Sequence, residues 1–338
     1  MPELKKRPLF SIIIDNYNYG CYIQQAIDSV LAQHFPSGDM EVIVVDDGST
    51  DDTAQRVAKY KDRVKYIRKK NGGQSSAINT GVEHAGGEVI AFLDSDDFWH
   101  REKLRIVAEE FEKSDDIDFM YHYMDVTDDK GKIVDRYIFP EPGRHSEQSY
   151  IDNYLKGNLP WFSPTSGMIV RADCLKKIMP LPEEFRIGAD IYLHYVLPFY
   201  MRDLSLVKKA LGYYRLHTNN LSGGNLLTAG KLQRELNLLL RIQEHVEQHS
   251  RKLGKDCSFI HKRIEAQESL YGILLSGLLG NRLKATKDAL AFKGFLPWDT
   301  RRHRVAKRAI LTASVLIPSP FLLWLQRKYR KIWHFVDS

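Results

Sequence analysis

Short apolar runs and amphipathic segments alternate along the first hundred residues of the chain. Continuous apolar runs of this length are typical of buried strands, whereas apolar residues recurring every three or four positions indicate helices. Repeated strand–helix alternation predicts a parallel sheet covered by helices on both faces. The predicted strands are 9–14, 41–45, 64–67 and 89–93, and the predicted helices are 22–31, a segment capped by Ser49 or Thr50 and ending at Tyr60, and 75–84.

Acidic side chains follow three of these predicted strands at their carboxyl ends. Because ligands of such sheets bind outside the carboxyl ends of the strands, we expect these side chains to converge on one cleft. Clustered carboxylates raise one another's pKa unless a cation lies among them, and oxygen ligands suit Mg²⁺ or Mn²⁺. The pattern therefore predicts a divalent-metal site that receives a phosphorylated ligand. The residues are Asp15, Asp46 and Asp47, and Asp94, Asp96 and Asp97.

The acidic run 94–97 has a second interpretation, as the N-cap and first turn of a helix that starts near Glu102. A helix cap accounts for one carboxylate but not for three. If the run were only a helix cap, the acidic residues at the ends of two other strands would also have to be coincidences. We therefore favour the metal site and leave Asp97 a partial role as a cap.

The remainder of the chain predicts two regions of different composition. Further strands are expected at 119–123, 168–170 and 206–214, with a hairpin turn at 128–132 and helices after Arg171 and over 191–200. From Leu226 onward the apolar spacing is helical and no strand pattern follows. This predicts an α/β catalytic domain over 1–225 and a helical C-terminal region over 226–338 with a basic, amphipathic tail.

Composition excludes several classes of protein. The 338 residues are 43% hydrophobic and 27% charged, as in ordinary globular proteins. Three scattered cysteines argue against a disulfide framework and for a reducing compartment. The chain shows neither a Gly-x-Gly-x-x-Gly turn after the first strand nor a P-loop. A dinucleotide-binding fold and a P-loop enzyme are therefore both disfavoured. We expect no signal peptide, because the apolar run 9–14 is too short.

Positive charge is concentrated in the tail, where residues 301–338 contain nine Lys or Arg and one Asp. The net charge of +6 therefore does not indicate a nucleic-acid groove in the main domain. Within the tail, the apolar run 309–325 is interrupted by Pro318 and Pro320. We predict that it lies on an anionic membrane at the cytoplasmic face, with basic side chains toward the lipid headgroups. The alternative is a helix packed on the catalytic domain.

Four ordered segments of the chain are similar to motifs of the family 2 glycosyltransferases, which have the GT-A fold. They are Ser-Ile-Ile-Ile-Asp-Asn-Tyr-Asn at 11–18, Val-Val-Asp-Asp-Gly-Ser-Thr-Asp at 44–51, Asn-Gly-Gly-Gln-Ser-Ser-Ala-Ile-Asn at 71–79, and Gly-Gly-Glu-Val-Ile-Ala-Phe-Leu-Asp-Ser-Asp-Asp at 86–97. The resemblance covers roughly residues 8–222. It implies an inverting enzyme that uses a nucleotide-diphospho-sugar, expected to be a UDP-sugar, with Mn²⁺ or Mg²⁺. The implied acceptor is a saccharide or lipid-linked hydroxyl in cell-surface glycan biosynthesis.

The resemblance also implies roles for residues on the donor side. Asp47 would accept the N3–H of a uracil ring, and Tyr17 would stack on that ring. Asp15 would bound the same pocket, although the family more often has Thr or another small polar residue there. Asp94 would hold the ribose or a metal-bound water, and Asp96 would bind the metal directly. Asn71 and Ser95 complete the expected nucleotide-binding set.

On the acceptor side, Asp190 matches the position of the family's general base, although many members have Glu-Asp where this chain has Ala189-Asp190. The alternative is that Asp190 is the N-cap of the helix over 191–200, and the two roles are compatible. His217 resembles a late motif near the diphosphate or metal, and Arg215 could contact phosphate oxygens. Trp161, Ser166 and Gly167 are expected to line the acceptor side.

Two other functions fit parts of the pattern. A metal-dependent nucleotidyltransferase also combines an α/β nucleotide fold with carboxylate-bound metal, but the expected Gly- and Lys-rich phosphate loop is missing from 15–18. A non-catalytic, membrane-associated protein that binds nucleotide-sugars would retain the fold without needing Asp190. Release of pyrophosphate from a nucleoside triphosphate would indicate the first alternative, and the intact set of Asp47, Asp94, Asp96 and Asp190 argues against the second.

Overall fold

The structure is a computed structural model that describes residues 9–137, 164–217, 220 and 229–291. The described residues form two compact units, one containing 9–137, 164–217 and 220, and the other containing 229–291. Trp161, which was predicted to line the acceptor side, lies outside the described residues. The basic tail, which was predicted to contact a membrane, also lies outside them.

The first part of the first unit is the predicted parallel arrangement. Strands β3, β2, β1 and β4 pair in that order, and every neighbouring pair is parallel. Helices connect consecutive strands, because parallel neighbours need a crossover connection. The elements are β1 (Phe10–Asn16), α1 (Gly20–Leu31), β2 (Met40–Asp46), α2 (Thr53–Val57) continued by a 3-10 helix (Ala58–Arg63), β3 (Lys65–Arg68), α3 (Gln74–Glu83) and β4 (Val89–Asp94).

The second part of this unit extends the same sheet with mixed strand directions. Its elements are β5 (Phe98–Trp99), α4 (Lys103–Phe111), β6 (Ile117–Thr127), β7 (Ile133–Tyr137), β8 (Met168–Arg171), α5 (Ala172–Lys176), α6 (Ala189–Val196) and β9 (Asp203–Arg215). The sheet continues from β4 through β8, β6 and β9 to β5, and β7 pairs with the edge of β6. Only β6 and β9 are parallel here. The predicted α/β class is confirmed, with parallel pairing concentrated in one half of the sheet.

Helices cover both faces of β1, which explains its continuous apolar sequence. Ile12 and Ile14 are fully buried in the same cluster as Ile23 of α1. Ile13 points to the other face, where a Cβ added to Gly81 of α3 would lie 2.5 Å from its Cγ2. Burying each such side chain contributes about 1.5–3 kcal/mol, so β1 is anchored from both sides.

Two predictions about helix starts are wrong. Ser49 and Thr50 do not cap α2, which begins at Thr53 after Asp52. The Ser49 hydroxyl instead accepts the Asn18 backbone N–H at 2.9 Å. Asp97 does not cap α4, because β5 intervenes and Glu102 precedes the helix. Sequence spacing could not reveal β5, since a two-residue strand forms only through its tertiary partner β9.

The second unit is helical over its described length, which confirms the predicted helical appendage. It contains α7 (Ala229–Leu253), α8 (Ser258–Leu278) and α9 (Arg282–Ala291). Leu239, Ile242 and Val246 are buried at helical spacing along α7. Among the described residues, the structure shows no helix with the length and apolar character needed to cross a membrane.

Candidate functional site

A cleft of about 280 Å³ opens at the carboxyl ends of β1, β2 and β4. Parallel pairing brings these ends together, because Asp15 lies opposite Asp94 and Asn16 lies opposite Asp46 in register. The cleft gathers side chains that are far apart in sequence, from Asp15 to Asn220. Its lining includes every residue predicted to bind nucleotide, together with the predicted metal ligand: Asp15, Tyr17, Asp47, Asn71, Asp94, Ser95 and Asp96.

Asp47 is a fixed and charge-compensated carboxylate at one end of the cleft. Its Oδ1 accepts hydrogen bonds from Lys69 Nζ at 2.8 Å and from the Gly72 amide at 2.9 Å. Its Oδ2 accepts the Gly73 amide at 2.6 Å. A carboxylate oxygen has two acceptor positions, so Oδ2 can accept one more hydrogen bond from a ligand.

Its neighbour Asp46 has a different, structural role. Asp46 Oδ1 accepts the backbone N–H of Ser49 at 2.7 Å, and Oδ2 accepts the hydroxyl of Tyr66. These bonds close the turn that follows β2. Of the two adjacent aspartates, one shapes the loop and the other faces the cleft.

The remaining carboxylates form a cluster with little compensation. Burial raises the pKa of Asp15 to about 7, with a further contribution from the charge on Asp96. Burial also raises the pKa of Asp94 well above its ordinary value, followed by the charge on Asp15. The pKa of Asp97 is raised by burial and then by Asp96. Ionising these carboxylates together is unfavourable, and a cation among them would lower that cost.

Asp96 contacts a histidine contributed by the segment after β9. His217 Nε2 lies 3.0 Å from Asp96 Oδ2, and Asn220 Nδ2 lies 3.4 Å from the same oxygen. Tyr19 and Tyr22 pack against the imidazole, with ring centroids 5.4 and 4.9 Å away. The ring is thus held beside the carboxylate by aromatic packing as well as by the polar contact.

The donor atoms at this point fit Mn²⁺ or Mg²⁺. Within the described residues, no group of three or more His, Cys, Asp or Glu side chains is arranged to hold a metal. Asp96 and His217 supply a carboxylate and an imidazole, and Mg²⁺ is often bound by one or two carboxylates with substrate phosphates completing the shell. The nearby Ser95 hydroxyl is buried without a partner in this part of the structure, which leaves a further oxygen available.

Arg215 supports the acidic loop from behind and does not line the cleft. Its guanidinium donates to the carbonyls of Asp96 at 2.8 Å and Asp129 at 2.9 Å, and to Gln25 Oε1 at 2.6 Å. Its backbone N–H donates to Asp97 Oδ1 at 2.8 Å. Arg215 was predicted to contact phosphate oxygens. In the structure its guanidinium instead binds protein acceptors, and these bonds fix the loop.

Asp190 lies in the first turn of α6 and is not its N-cap. Gly188 precedes the helix with φ of +86°, a left-handed conformation that glycine adopts without steric cost. Asp190 Oδ1 accepts the backbone N–H of Ile191 at 2.9 Å. Burial raises the pKa of Asp190, and its charge contributes to the raised pKa of Asp94. Asp190 does not itself line the cleft, so its role as the general base stays a prediction.

Ser166 is fully buried behind the acidic strand end. Its hydroxyl accepts the Asp94 backbone N–H at 3.0 Å, and its carbonyl accepts Trp99 Nε1 at 3.0 Å and Lys103 Nζ at 2.8 Å. Gly167 is also buried, at the end of a 3-10 helix (Thr165–Gly167). The acceptor-side roles of Ser166 and Gly167 stay predictions.

Several cleft residues were missed by the sequence analysis. Gln74 lies in a quoted motif and Asn220 lies three residues after His217, so proximity to known motifs could have suggested both. Arg186 and Ile187 carry no such signal, since they enter the cleft through the loop before α6. Lys69 was missed because its partner Asp47 is distant in sequence, although Lys69 Nζ lies 2.8 Å from Asp47 Oδ1.

Comparison with known proteins identifies the family and the fold. Residues 11–177 match the model of "Glycosyl transferase family 2". An uncharacterized glycosyltransferase of Nostoc sp. (strain PCC 7120) is 39% identical over 215 residues, which cover 62% of this chain and 65% of that protein. The chain spans less than two thirds of the length of the first curated relatives it matches.

Two solved structures share the fold at low sequence identity. The crystal structure of Staphylococcus aureus TarS 1–349 in complex with UDP-GlcNAc has a TM-score of 0.60 and 22% identity, over 95% of this chain and 91% of that one. The mannosyltransferase PcManGT from Pyrobaculum calidifontis, in complex with GDP-Man and Mn²⁺, has a TM-score of 0.56 and 19% identity, over 98% and 86%. At these sequence identities, the similarity to both structures shows a shared fold.

Proposed function

Because the chain carries a glycosyl transferase family 2 domain with the GT-A fold, we propose that it is an inverting enzyme that uses a UDP-sugar. The sugar would be transferred to a hydroxyl of a saccharide or lipid-linked acceptor during cell-surface glycan biosynthesis. One observation carries the proposal: Asp47, Asp94 and Asp96 converge on one cleft.

The donor's base would bind at the Asp47 end of the cleft. The free acceptor position on Asp47 Oδ2 suits the N3–H of uracil. Tyr17 is 46% exposed at the same cleft, so its ring is available to stack on a base. Asp15, Asn71 and Ser95 would enclose the nucleoside, and Asp94 would contact the ribose or a bound water. The TarS structure named above contains UDP-GlcNAc, which supports a uridine donor here.

Asp96 and His217 would hold a divalent cation next to the diphosphate. When bound, that cation supplies electrostatic stabilisation of the negative charge on the leaving diphosphate. The Mn²⁺ in the PcManGT complex supports this role. The chain's own contribution is to keep the Asp96 carboxylate and the His217 imidazole together, through the packing of Tyr19 and Tyr22.

Asp190 would act as the general base. It would take the proton of the acceptor hydroxyl while the acceptor oxygen bonds to the anomeric carbon and the bond from that carbon to the diphosphate breaks. Attack opposite the leaving group inverts the anomeric configuration. A raised pKa makes the Asp190 carboxylate a stronger base than an exposed aspartate, which favours this proton transfer.

The proposal is tested by incubating the full chain with a panel of UDP-sugars and MnCl₂, and measuring UDP release. We expect one or more donors to be consumed and the activity to disappear with EDTA. Pyrophosphate release from nucleoside triphosphates would instead support a nucleotidyltransferase. Calorimetric binding of UDP-sugars without turnover, with or without saccharide acceptors, would support the non-catalytic alternative.

We further propose that the tail over 301–338 holds the protein on the cytoplasmic face of a membrane. The support is its composition, in which basic clusters flank an apolar run. Sedimentation with vesicles containing an anionic phospholipid should capture the chain, and sedimentation should fall as salt is added. Equal sedimentation with neutral vesicles in high salt would contradict the electrostatic part of this proposal.

A further inference from the structure

Gln74 connects two parts of the cleft that are separated widely in sequence. It is the first residue of α3 and lines the cleft. Its Oε1 accepts the backbone N–H groups of Gly188 at 3.2 Å and Ala189 at 3.1 Å. Its Nε2 lies 3.5 Å from Asp94 Oδ1 and 3.4 Å from Thr165 Oγ1. One side-chain amide thus joins the acidic strand end to the start of α6.

The orientation of this amide follows from its partners. Backbone N–H groups can only donate, so the carbonyl oxygen of Gln74 must face Gly188 and Ala189. The NH₂ group is then directed at Asp94, where a carboxylate accepts it. A side chain that only donates or only accepts could not satisfy both sides.

The backbone around Gln74 reinforces the connection. The Gln74 N–H donates to the Arg186 carbonyl at 2.9 Å, and the Ser75 N–H donates to the Phe185 carbonyl at 3.4 Å. Gly73 has φ of +90°, and a Cβ at this position would lie 2.5 Å from the Arg186 Cα. The loop before α6 is therefore docked on the first turn of α3, and two amides of that turn donate to carbonyls of the loop.

We propose that Gln74 is a positioning residue that sets the place of Asp190 relative to Asp94. This inference rests on the proposed function, in which Asp94 contacts the donor and Asp190 accepts the proton from the acceptor. Asp190 follows Ala189 directly, so the bonds to Gly188 and Ala189 fix the start of the helix that carries it. Displacing a reacting group by about 1 Å can reduce turnover by about 10²-fold.

The test uses Gln74→Met and Gln74→Glu in the full chain. Gln74→Met keeps the side-chain length without the amide, and we expect kcat to fall about 30- to 100-fold. UDP affinity, measured by calorimetry with MnCl₂, should stay within about threefold, because the amide positions Asp190 and does not bind the nucleotide base. Gln74→Glu keeps an acceptor for Gly188 and Ala189 but turns a carboxylate toward Asp94, so its kcat should also fall.

Gln33→Met is the matched control. Gln33 also uses both ends of its amide, with Nε2 donating to the carbonyls of Ser29 at 2.9 Å and His100 at 3.0 Å, and Oε1 accepting the Leu104 N–H at 3.0 Å. It does not line the cleft. Its loss should lower the thermal midpoint to a similar extent as Gln74→Met while kcat stays near wild type.

Three results would overturn the positioning role: wild-type kcat in either Gln74 variant, loss of UDP affinity in parallel with kcat, or an equal loss of kcat in Gln33→Met. Wild-type protein is assayed first, which separates the two proposals. A wild-type chain without turnover would refute the proposed function, and the positioning role with it. Normal turnover in the Gln74 variants of an active enzyme would refute the positioning role alone.

Discussion

The parallel and the mixed halves of the sheet contribute to the cleft in different ways. In the parallel half, backbone register alone places Asp15 beside Asp94 at adjoining strand ends. In the mixed half, Asp190 and His217 lie on segments outside the strands, where Gln74 binds the backbone next to Asp190 and Asp96 contacts His217. The first arrangement needs only correct strand pairing, whereas the second needs particular partners such as Gln74 and Asp96.

The Asp47 end of the cleft and the carboxylate cluster at the end of β4 also differ in how charge is compensated. Asp47, beside β2, has a lysine and two backbone amides as partners, so its charge is stabilised without a ligand. The cluster at the end of β4 has raised pKa values at Asp94 and Asp97. We infer that the base-binding end is preformed and that the diphosphate end is completed by a cation. Variants of the parallel half should therefore change donor affinity, and variants of the mixed half should change turnover.

Asp96 lies where the two halves meet, so its replacement should have the largest effect. We expect Asp96→Ala to lose about 10³-fold in turnover, since the leaving diphosphate loses its stabilisation. Both Mn²⁺ dependence and UDP affinity should fall, as measured by activity titration and calorimetry. Asp62→Asn, which removes an exposed carboxylate, is the control and should behave as wild type. Unchanged metal dependence in Asp96→Ala would contradict the metal role.

Asp190 tests the mixed half by itself. We expect Asp190→Asn to reduce kcat by about 10²-fold or more while UDP affinity is retained. A base must be deprotonated, so kcat/KM of the wild type should rise with pH as Asp190 loses its proton. Because burial raises the pKa of Asp190, the midpoint of this rise should lie above 3.8, the ordinary value.

The same rise in kcat/KM should be missing from the pH profile of Asp190→Asn. A profile with the wild-type shape, or a variant with wild-type kcat, would remove Asp190 from the reaction. Either result would also end the assignment of turnover to the mixed half.

Arg215→Met tests whether the mixed half depends on side-chain bonds for its structure. The change leaves the carbonyls of Asp96 and Asp129 and the side chain of Gln25 without a donor that is itself buried. We expect the free energy of unfolding to fall by about 2–3 kcal/mol, measured by urea denaturation. Arg105→Met, on the exposed face of α4, should leave the midpoint near wild type. Similar midpoints for both variants would show that the Arg215 bonds contribute little.

Tyr17→Ala should have the smallest effect and should be confined to the parallel half. Loss of ring stacking is expected to weaken UDP binding about tenfold, since stacking of an aromatic ring on a base contributes about 1–3 kcal/mol. At saturating donor, kcat should be unchanged. Tyr17→Phe keeps the ring and should bind UDP as the wild type does. A fall in kcat without a change in affinity would contradict the division between the halves.

Local patterns predicted the parallel half well. Most residues of β1, β2 and β4 are buried and the helices have a regular apolar period, so β1, β2, β3 and β4 lie within two residues of their predicted bounds. The carboxylates at these strand ends were also predictable, because parallel pairing leaves no other place for them. Motif resemblance added Asp190 and His217, whose positions no local pattern specifies.

Long-range partners decided what the sequence left open. Whether Asp46 or Asp47 faces the cleft depends on Ser49, Tyr66 and Lys69, which lie up to 22 residues away. Arg215 became a buried structural group because acceptors from three separate segments surround it. Gln74 reaches Ala189 across 115 positions. Apolar periodicity determines elements one at a time, but a hydrogen-bond partner is chosen by the packing of all elements together, so only the tertiary structure could specify these contacts.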